Sequence, residues 1–177
     1  MHRIVLVTGG ARSGKSRYAM DAARPYQRRA FIATAIPFDE EMKDRIAKHR
    51  ADRRDEYLTI EEPVDLASAI AALPPGLNVA LIDCLTVWLG NLVHHYGPET
   101  SWFPEIDAFL DVLARPPCNM VIVTNEVGMG IVPDNPMARA FRDLAGRANA
   151  LVAAAANEVV LLVSGIPVVI KPGPSPG

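Results

Sequence analysis

The sequence has only two cysteines, Cys84 and Cys118, among 177 residues. Two such residues in or beside apolar segments do not make a disulfide framework, so we expect reduced, buried thiols. No uncharged apolar run approaches the about 18 residues needed to cross a bilayer. The N-terminal residues lack the features of a secretory signal. We therefore expect a cytoplasmic protein without a membrane span.

The sequence also lacks an excess of charge of one sign, since 18 Lys and Arg face 20 Asp and Glu, for a net charge of −2. Without a broad basic field, the composition argues against a general nucleic-acid binder. Half of the residues are hydrophobic and 21% are charged, which excludes a disordered chain or a coiled coil. We expect one catalytic domain over residues 1–171 and a flexible tail at 172–177.

Short apolar runs alternate with segments of helical periodicity, which predicts a mostly parallel central sheet with helices on both faces. Helices are expected at about 16–24, from Pro63, from Pro104 and after Asn135-Pro136. The connection between the last two strands is too short for a crossover helix, so they should form an antiparallel hairpin. The predicted strands are residues 4–7, 30–34, 79–82, 120–123, 159–163 and 168–170.

A glycine-rich segment lies between the first strand and the first helix and matches the pattern G-x-x-x-x-G-K-[ST]. In this pattern the backbone N–H groups and the helix N-terminus surround phosphate oxygens. The lysine reaches the β- and γ-phosphates, and the last hydroxyl is a ligand of Mg²⁺. The segment predicts a P-loop NTPase-like fold and consists of Gly9, Gly10, Ala11, Arg12, Ser13, Gly14, Lys15 and Ser16.

Several polar residues follow predicted strands and should lie at the edge of the sheet that carries the glycine-rich loop. Asp83 ends an apolar strand and is expected to hold Mg²⁺, directly or through water. The alternative for Asp83 is a cap on the following helix. Thr34 ends a predicted strand and Asn125-Glu126 come shortly after another, so we expect them near the phosphate loop.

Residues 39–54 read as a charged helix in which Arg45, His49 and Arg53 share one face. One interpretation is a solvated helix with ion pairs. The other is a surface that faces a triphosphate, with a neutral imidazole as nucleophile and arginines that neutralise phosphoryl charge. The spacing alone does not decide between the two.

Further motifs occur in a fixed order over about residues 4–171, including T-N-E-V-G-M-G-I-V-P at 124–133 and F-R-D-L-A-G-R-A-N at 141–149. Together with G-G-A-R-S-G-K-S, they make the chain resemble the bifunctional adenosylcobinamide kinase/adenosylcobinamide-phosphate guanylyltransferase family of cobalamin biosynthesis. The resemblance implies that ATP or GTP phosphorylates adenosylcobinamide. GMP from GTP then passes through a histidine–GMP intermediate to the phosphorylated corrinoid, giving adenosyl-GDP-cobinamide.

The resemblance also assigns roles to residues of this chain. It implies that His49 is the nucleophile, with Lys48 where some relatives have a second histidine. A homotrimer is a further expectation from the family, whereas the divalent cation, Mg²⁺ or another, at Ser16 and Asp83 is expected from the motif and the strand-end carboxylate themselves. The nucleotide contacts implied beyond the glycine-rich loop are Thr34, Ala35, Ile36, Arg50, Ala51, Asp52, Arg53, Glu61 and Asp83.

Two other functions stay open on the residues alone. A small-molecule kinase that lacks the guanylyl transfer needs only the phosphate loop. A nucleotide-dependent binding module would bind GTP without turning over a corrinoid. The loop 125–133 is expected either to contact nucleotide or corrinoid or to have a structural role, and Trp88, Trp102, Tyr96 and Phe103 either flank the corrinoid or pack in the core.

Overall fold

A single seven-stranded sheet organises the part of the chain that the structure, a computed structural model, describes, namely residues 2–37, 40 and 56–173. The strand order is β3-β2-β4-β5-β1-β6-β7. The first six strands along the chain pair in parallel, and β7 is antiparallel to β6. The strands are β1 (Ile4–Gly9), β2 (Arg29–Ala33), β3 (Leu58–Glu61), β4 (Val79–Asp83), β5 (Asn119–Val123), β6 (Glu158–Val163) and β7 (Ile166–Lys171).

The predicted C-terminal hairpin is confirmed, with a tighter turn than the sequence suggested. Ser164 and Gly165 alone connect the strands, and both have positive φ, 51° and 83°. Two such residues form the turn whose twist matches that of antiparallel strands. β7 therefore begins at Ile166 and includes Pro167, which an edge strand tolerates because it needs fewer ladder hydrogen bonds.

Five α-helices surround the sheet in the described ranges, and their ends follow from local capping. The side chain of Asn135 accepts hydrogen bonds from the N–H groups of Met137 and Ala138, which starts the long last helix. Asp65 accepts a hydrogen bond from the Ser68 N–H, so the short helix predicted from Pro63 starts at Leu66 instead. The helices are α1 (Lys15–Ala23), α2 (Leu66–Ala71), α3 (Leu85–Tyr96), α4 (Pro104–Ala114) and α5 (Pro136–Ala155).

Helices cover both faces of the sheet, as predicted. Helices α2 to α5 pack on one face around Trp88, Phe103 and Phe109, which are buried. Trp88 and Phe103 are thus core residues, the second of the two roles expected for them. Burying one such ring contributes about 2 kcal/mol. Helix α1 packs on the other face against β1, β4 and β5.

Both cysteines are buried and free, which confirms the expectation of reduced thiols. Burial raises the pKa of the Cys118 thiol, because the low-dielectric interior disfavours the thiolate. None of the helices in the described ranges is long and apolar enough to cross a membrane.

Candidate nucleotide site

The glycine-rich segment forms a turn between the end of β1 at Gly9 and the start of α1 at Lys15. Gly14 occupies the N-cap position with a φ of 95°, a backbone conformation that residues with a side chain rarely adopt. Within the described residues, no side chain caps this end of α1. The N–H groups of the first turn are therefore available to an anion, and the helix dipole favours negative charge there.

The loop is held against the β6–β7 hairpin by close backbone contacts. A Cβ atom on Gly9 would lie 2.5 Å from the carbonyl oxygen of Leu162 and 2.8 Å from Ser13 Oγ. The N–H of Gly165, in the hairpin turn, donates a hydrogen bond of 3.0 Å to the carbonyl of Ser13. Glycine at position 9 is thus required by the close approach of β6.

Two polar side chains of the loop are buried inside it. Lys15 is 8% exposed, and its Nζ donates to the carbonyl of Gly10 over 2.5 Å. Ser13 Oγ is buried and makes no hydrogen bond within the described part of the chain. A buried ammonium group and an unsatisfied hydroxyl inside a ring of backbone N–H groups are suited to phosphate oxygens.

The expected site residues lie in one lateral row at the carboxyl edge of the sheet. Strand pairing aligns Glu61 with Ala33, Ala33 with Asp83, Asp83 with Val123, and Val123 with Val7. Neighbouring strands are about 4.8 Å apart, so the Cα atom of Asp83 lies about 10 Å from the Cα atoms of Val7 and Glu61, each two strands away. The glycine-rich loop starts two residues beyond Val7. The fold therefore brings Glu61, Thr34 and Asp83 to the edge that carries the phosphate loop.

Thr34 is fully buried, and its hydroxyl is engaged by the protein itself. Thr34 Oγ1 accepts a hydrogen bond from the Cys84 N–H and donates one to the Cys84 carbonyl, both at 2.9 Å. Its backbone carbonyl accepts a hydrogen bond from Asn91 Nδ2. The Thr34 hydroxyl thus ties the end of β2 to the residue that follows Asp83.

A hydrogen-bonded network fixes the backbone that follows β5. Thr124 Oγ1 donates to Asn149 Oδ1 over 2.7 Å, and Asn149 Nδ2 donates to the carbonyl of Asn125 over 3.0 Å. The Asn125 N–H donates to Thr86 Oγ1. Helices α3 and α5 thereby hold this segment from the side. Sequence reasoning missed Thr86 and Asn149, although a buried asparagine on the apolar stripe of α5 was a usable signal.

Two arginines of α5 hold the rest of the loop that the sequence placed near the ligand. Arg139 donates to the carbonyls of Pro133 and Asp134 at 2.9 and 2.7 Å, and Arg142 donates to the carbonyl of Gly128. These bonds order the backbone of the loop. Its apolar side chains Met129, Ile131 and Val132 are exposed.

The histidine and its neighbouring nucleotide contacts lie outside the described residues. These are His49, Arg50, Ala51, Asp52 and Arg53. The next described residue is Glu56, whose carboxylate accepts a hydrogen bond of 3.2 Å from Arg29. Arg29 also stacks on the Tyr57 ring, 5.0 Å from its centre. These contacts hold Glu56 and Tyr57 beside β2.

The sheet is mostly parallel, its first strand runs into G-x-x-x-x-G-K-S, and a carboxylate ends the strand that lies second from it in the sheet. These features define the P-loop NTPase-like fold. Solved structures agree. An ATPase from the type III secretion system of pathogenic bacteria matches with a TM-score of 0.55 at 11% identity, over 91% of this chain and 51% of that one. A Pyrococcus horikoshii OT3 protein matches with a TM-score of 0.50 at 9% identity, over 96% and 86%.

Sequence comparison identifies the family within this fold. The profile of the cobinamide kinase / cobinamide phosphate guanyltransferase family matches residues 5–170, and the chain belongs to this family. The bifunctional adenosylcobalamin biosynthesis protein CobU of Escherichia coli K12 is 43% identical over 95% of this chain and 99% of that protein. The bifunctional adenosylcobalamin biosynthesis protein CobP of Pseudomonas aeruginosa is 39% identical over 96% of this chain and 98% of that protein.

Proposed function

We propose that this chain carries out both reactions of its family at one nucleotide site, within a single domain that spans residues 1–171. ATP or GTP phosphorylates the hydroxyl group of adenosylcobinamide. GMP from GTP is then transferred to adenosylcobinamide phosphate, giving adenosyl-GDP-cobinamide. The observation that carries the proposal is the phosphate loop around Lys15, next to the row that contains Asp83 and Glu61.

The phosphate loop acts in both reactions by positioning and by charge neutralisation. The N–H groups at the start of α1 and the Lys15 ammonium group bind the triphosphate, and they neutralise charge that builds on its oxygens. Thr34, Ala35, Ile36, Glu61 and residues 50–53 complete the nucleotide site in this proposal. Thr34 is fully buried, and its hydroxyl, N–H and carbonyl groups all bond to the protein itself, so its part in the site is to position the neighbouring Ala35 and Ile36.

A magnesium ion fits this site because the available protein ligands are hard oxygen donors, the Ser16 hydroxyl and the Asp83 carboxylate. Mg²⁺ needs only one or two such groups when phosphate oxygens and water complete its shell. Among the described residues, no group of three or more His, Cys, Asp or Glu side chains could hold a metal. When bound, the ion neutralises charge on the phosphates.

His49 is the proposed nucleophile for guanylyl transfer. An imidazole nitrogen forms a bond to the α-phosphorus of GTP while the bond to the bridging oxygen breaks and pyrophosphate leaves. A phosphate oxygen of the phosphorylated corrinoid then attacks the same phosphorus and releases the imidazole. Arginines near His49, including Arg50 and Arg53, neutralise the charge on the α-phosphate.

The test is incubation with Mg²⁺ and GTP labelled at the α-phosphate. We expect a protein–GMP adduct that is labile in acid and stable in alkali, as a phosphoramidate is. His49→Ala should lose the label, whereas His95→Ala, at the exposed end of α3, should keep it. A label that persists in His49→Ala places the nucleophile elsewhere. Corrinoid phosphorylation without any label would indicate the small-molecule kinase, and GTP binding without turnover would indicate the binding module.

Lys15→Ala tests whether the two reactions share one site. Both need a bound triphosphate, so we expect the variant to lose phosphorylation of the corrinoid and formation of the GMP adduct together. Guanylylation that survives in Lys15→Ala would show that the two reactions use separate sites.

A cytoplasmic homotrimer is the proposed form of the enzyme. Support for self-association comes from β7, an edge strand whose side chains are mostly exposed. Ile166, Val168, Val169 and Ile170 are 44–66% exposed and form an apolar strip. Edge strands with apolar side chains are prone to pair with another chain. Sedimentation equilibrium measures the stoichiometry directly.

A further inference from the structure

Glu126 is joined to the start of the phosphate loop by two hydrogen bonds. Thr8 Oγ1 donates to Glu126 Oε1 over 2.7 Å, and the Glu126 N–H donates to the carbonyl of Gly9 over 3.2 Å. Thr8 is buried, so the first of these bonds is shielded from water. The carboxylate therefore has a fixed place beside the loop.

This place is on the side of the loop where the terminal phosphates bind. Lys15 Nζ donates to the carbonyl of Gly10, which is the next carbonyl after the one that binds the Glu126 N–H. The lysine of this motif reaches the β- and γ-phosphates. Strand β5, which Glu126 follows, also lies between β1 and β4. Glu126 thus stands between the phosphate loop and Asp83.

The carboxylate is oriented in the way that a general base requires. Among the described residues, its hydrogen bonds go to Oε1 alone, so Oε2 is available. The side chain is half-buried and in contact with solvent. The backbone before it is held by Thr86 and Asn149. A base positioned by a third group, with one free basic atom, is the usual arrangement in acid–base catalysis.

We propose that Glu126 accepts the proton of the corrinoid hydroxyl during phosphorylation, a role that rests on the proposed kinase function. The hydroxyl oxygen forms a bond to the γ-phosphorus, and its proton moves to Glu126 Oε2. The bond from the γ-phosphorus to the β–γ bridging oxygen breaks, and the nucleoside diphosphate leaves. The carboxyl group then returns the proton to solvent. Thr8 is the positioning residue that orients the carboxylate.

Glu126→Gln separates this role from a structural one. The amide oxygen can still accept the hydrogen bond from Thr8, but it cannot take up the proton. We expect kcat for corrinoid phosphorylation to fall by about 100-fold or more, since positioned bases contribute about 10²–10⁴. Affinity for ATP and formation of the GMP adduct from GTP should stay within about threefold of wild type, because neither needs a base at the hydroxyl.

Glu158→Gln is the matched control. It alters a partly buried carboxylate that accepts a hydrogen bond from Arg3 at the opposite edge of the sheet. We expect it to leave phosphorylation unchanged. In Glu126→Ala, added formate should restore part of the lost rate, an effect that a purely structural carboxylate does not predict.

The results distinguish this role from the proposed function. If wild type phosphorylates the corrinoid and Glu126→Gln does so at a similar rate, Glu126 is not the base. If phosphorylation, ATP affinity and adduct formation all fall together in Glu126→Gln, the residue only supports the loop, and the proposal is wrong. Wild-type protein that never phosphorylates the corrinoid contradicts the kinase function itself, and this role with it.

Discussion

Thr34→Val removes one hydroxyl from the interior beside the nucleotide site and changes little else in shape. In the wild type this hydroxyl both accepts from the Cys84 N–H and donates to the Cys84 carbonyl, at 2.9 Å each. Thr34 is 0% exposed, so water does not replace either bond. The substitution therefore tests how strongly the ends of β2 and β4 are tied together.

The expected loss follows from the two bonds. Removing one partner of a buried hydrogen bond costs about 1–3 kcal/mol, and the two bonds together cost about 2–4 kcal/mol. The methyl group that replaces the hydroxyl returns about 0.8 kcal/mol through burial. The free energy of unfolding should fall by about 1–3 kcal/mol. With a urea slope of about 2 kcal/mol per M, the midpoint should fall by about 0.5–1.5 M.

Urea unfolding followed by circular dichroism measures this loss. Thr34→Ser keeps the hydroxyl and is the control; it should retain more of the stability than Thr34→Val, despite the loss of a methyl group. A Thr34→Val protein that unfolds at the wild-type urea concentration would show that the two bonds contribute nothing net, and our account of this tie would be wrong.

Two further substitutions test the loop and a helix cap. Gly9→Ala places a Cβ 2.5 Å from the Leu162 carbonyl oxygen, so its affinity for ATP, measured by calorimetry, should fall at least tenfold. Gly146 has open space around it, so the control Gly146→Ala should bind ATP as the wild type does. Unchanged affinity in Gly9→Ala would contradict the close packing of the loop. Hydrogen bonds from the Ser68 side chain and N–H lower the pKa of Asp65. The ionised cap therefore adds to the free energy of unfolding above about pH 4, and this stabilisation is lost as the pH falls through the pKa of the folded state. Asp65→Asn should reduce the loss of unfolding free energy between pH 6 and pH 3, and an identical loss in both proteins would contradict this role.

The sequence predicted the parts of the fold whose signals are local. Buried strands such as β1 and β5 are continuous apolar runs, and the phosphate loop is defined by glycines and a lysine at fixed spacing. β3 was missed because its four residues lie at the sheet edge and include the polar Thr59 and Glu61. The bounds of α3 were missed because apolar residues occur all around it, which hides the helical period.

The parts of the site that depend on distant contacts could not be predicted. Thr8 and Glu126 are 118 positions apart, and only the placement of β5 beside β1 brings them together. The lateral row from Glu61 to Val7 depends on strand register, which no local pattern specifies. The fate of the Thr34 hydroxyl depends on the path of the backbone at Cys84, across the neighbouring strand.

The contact between Gly165 and Ser13 has a consequence for the order in which the molecule can be completed. During synthesis the glycine-rich turn leaves the ribosome early, while the hairpin that packs against it is made some 150 residues later. A nascent chain that stops short of β6 and β7 has every residue of the phosphate-binding motif but lacks the hairpin against which the loop packs. Fragments that end before Glu158 should therefore bind nucleotide poorly even where their first strands have folded.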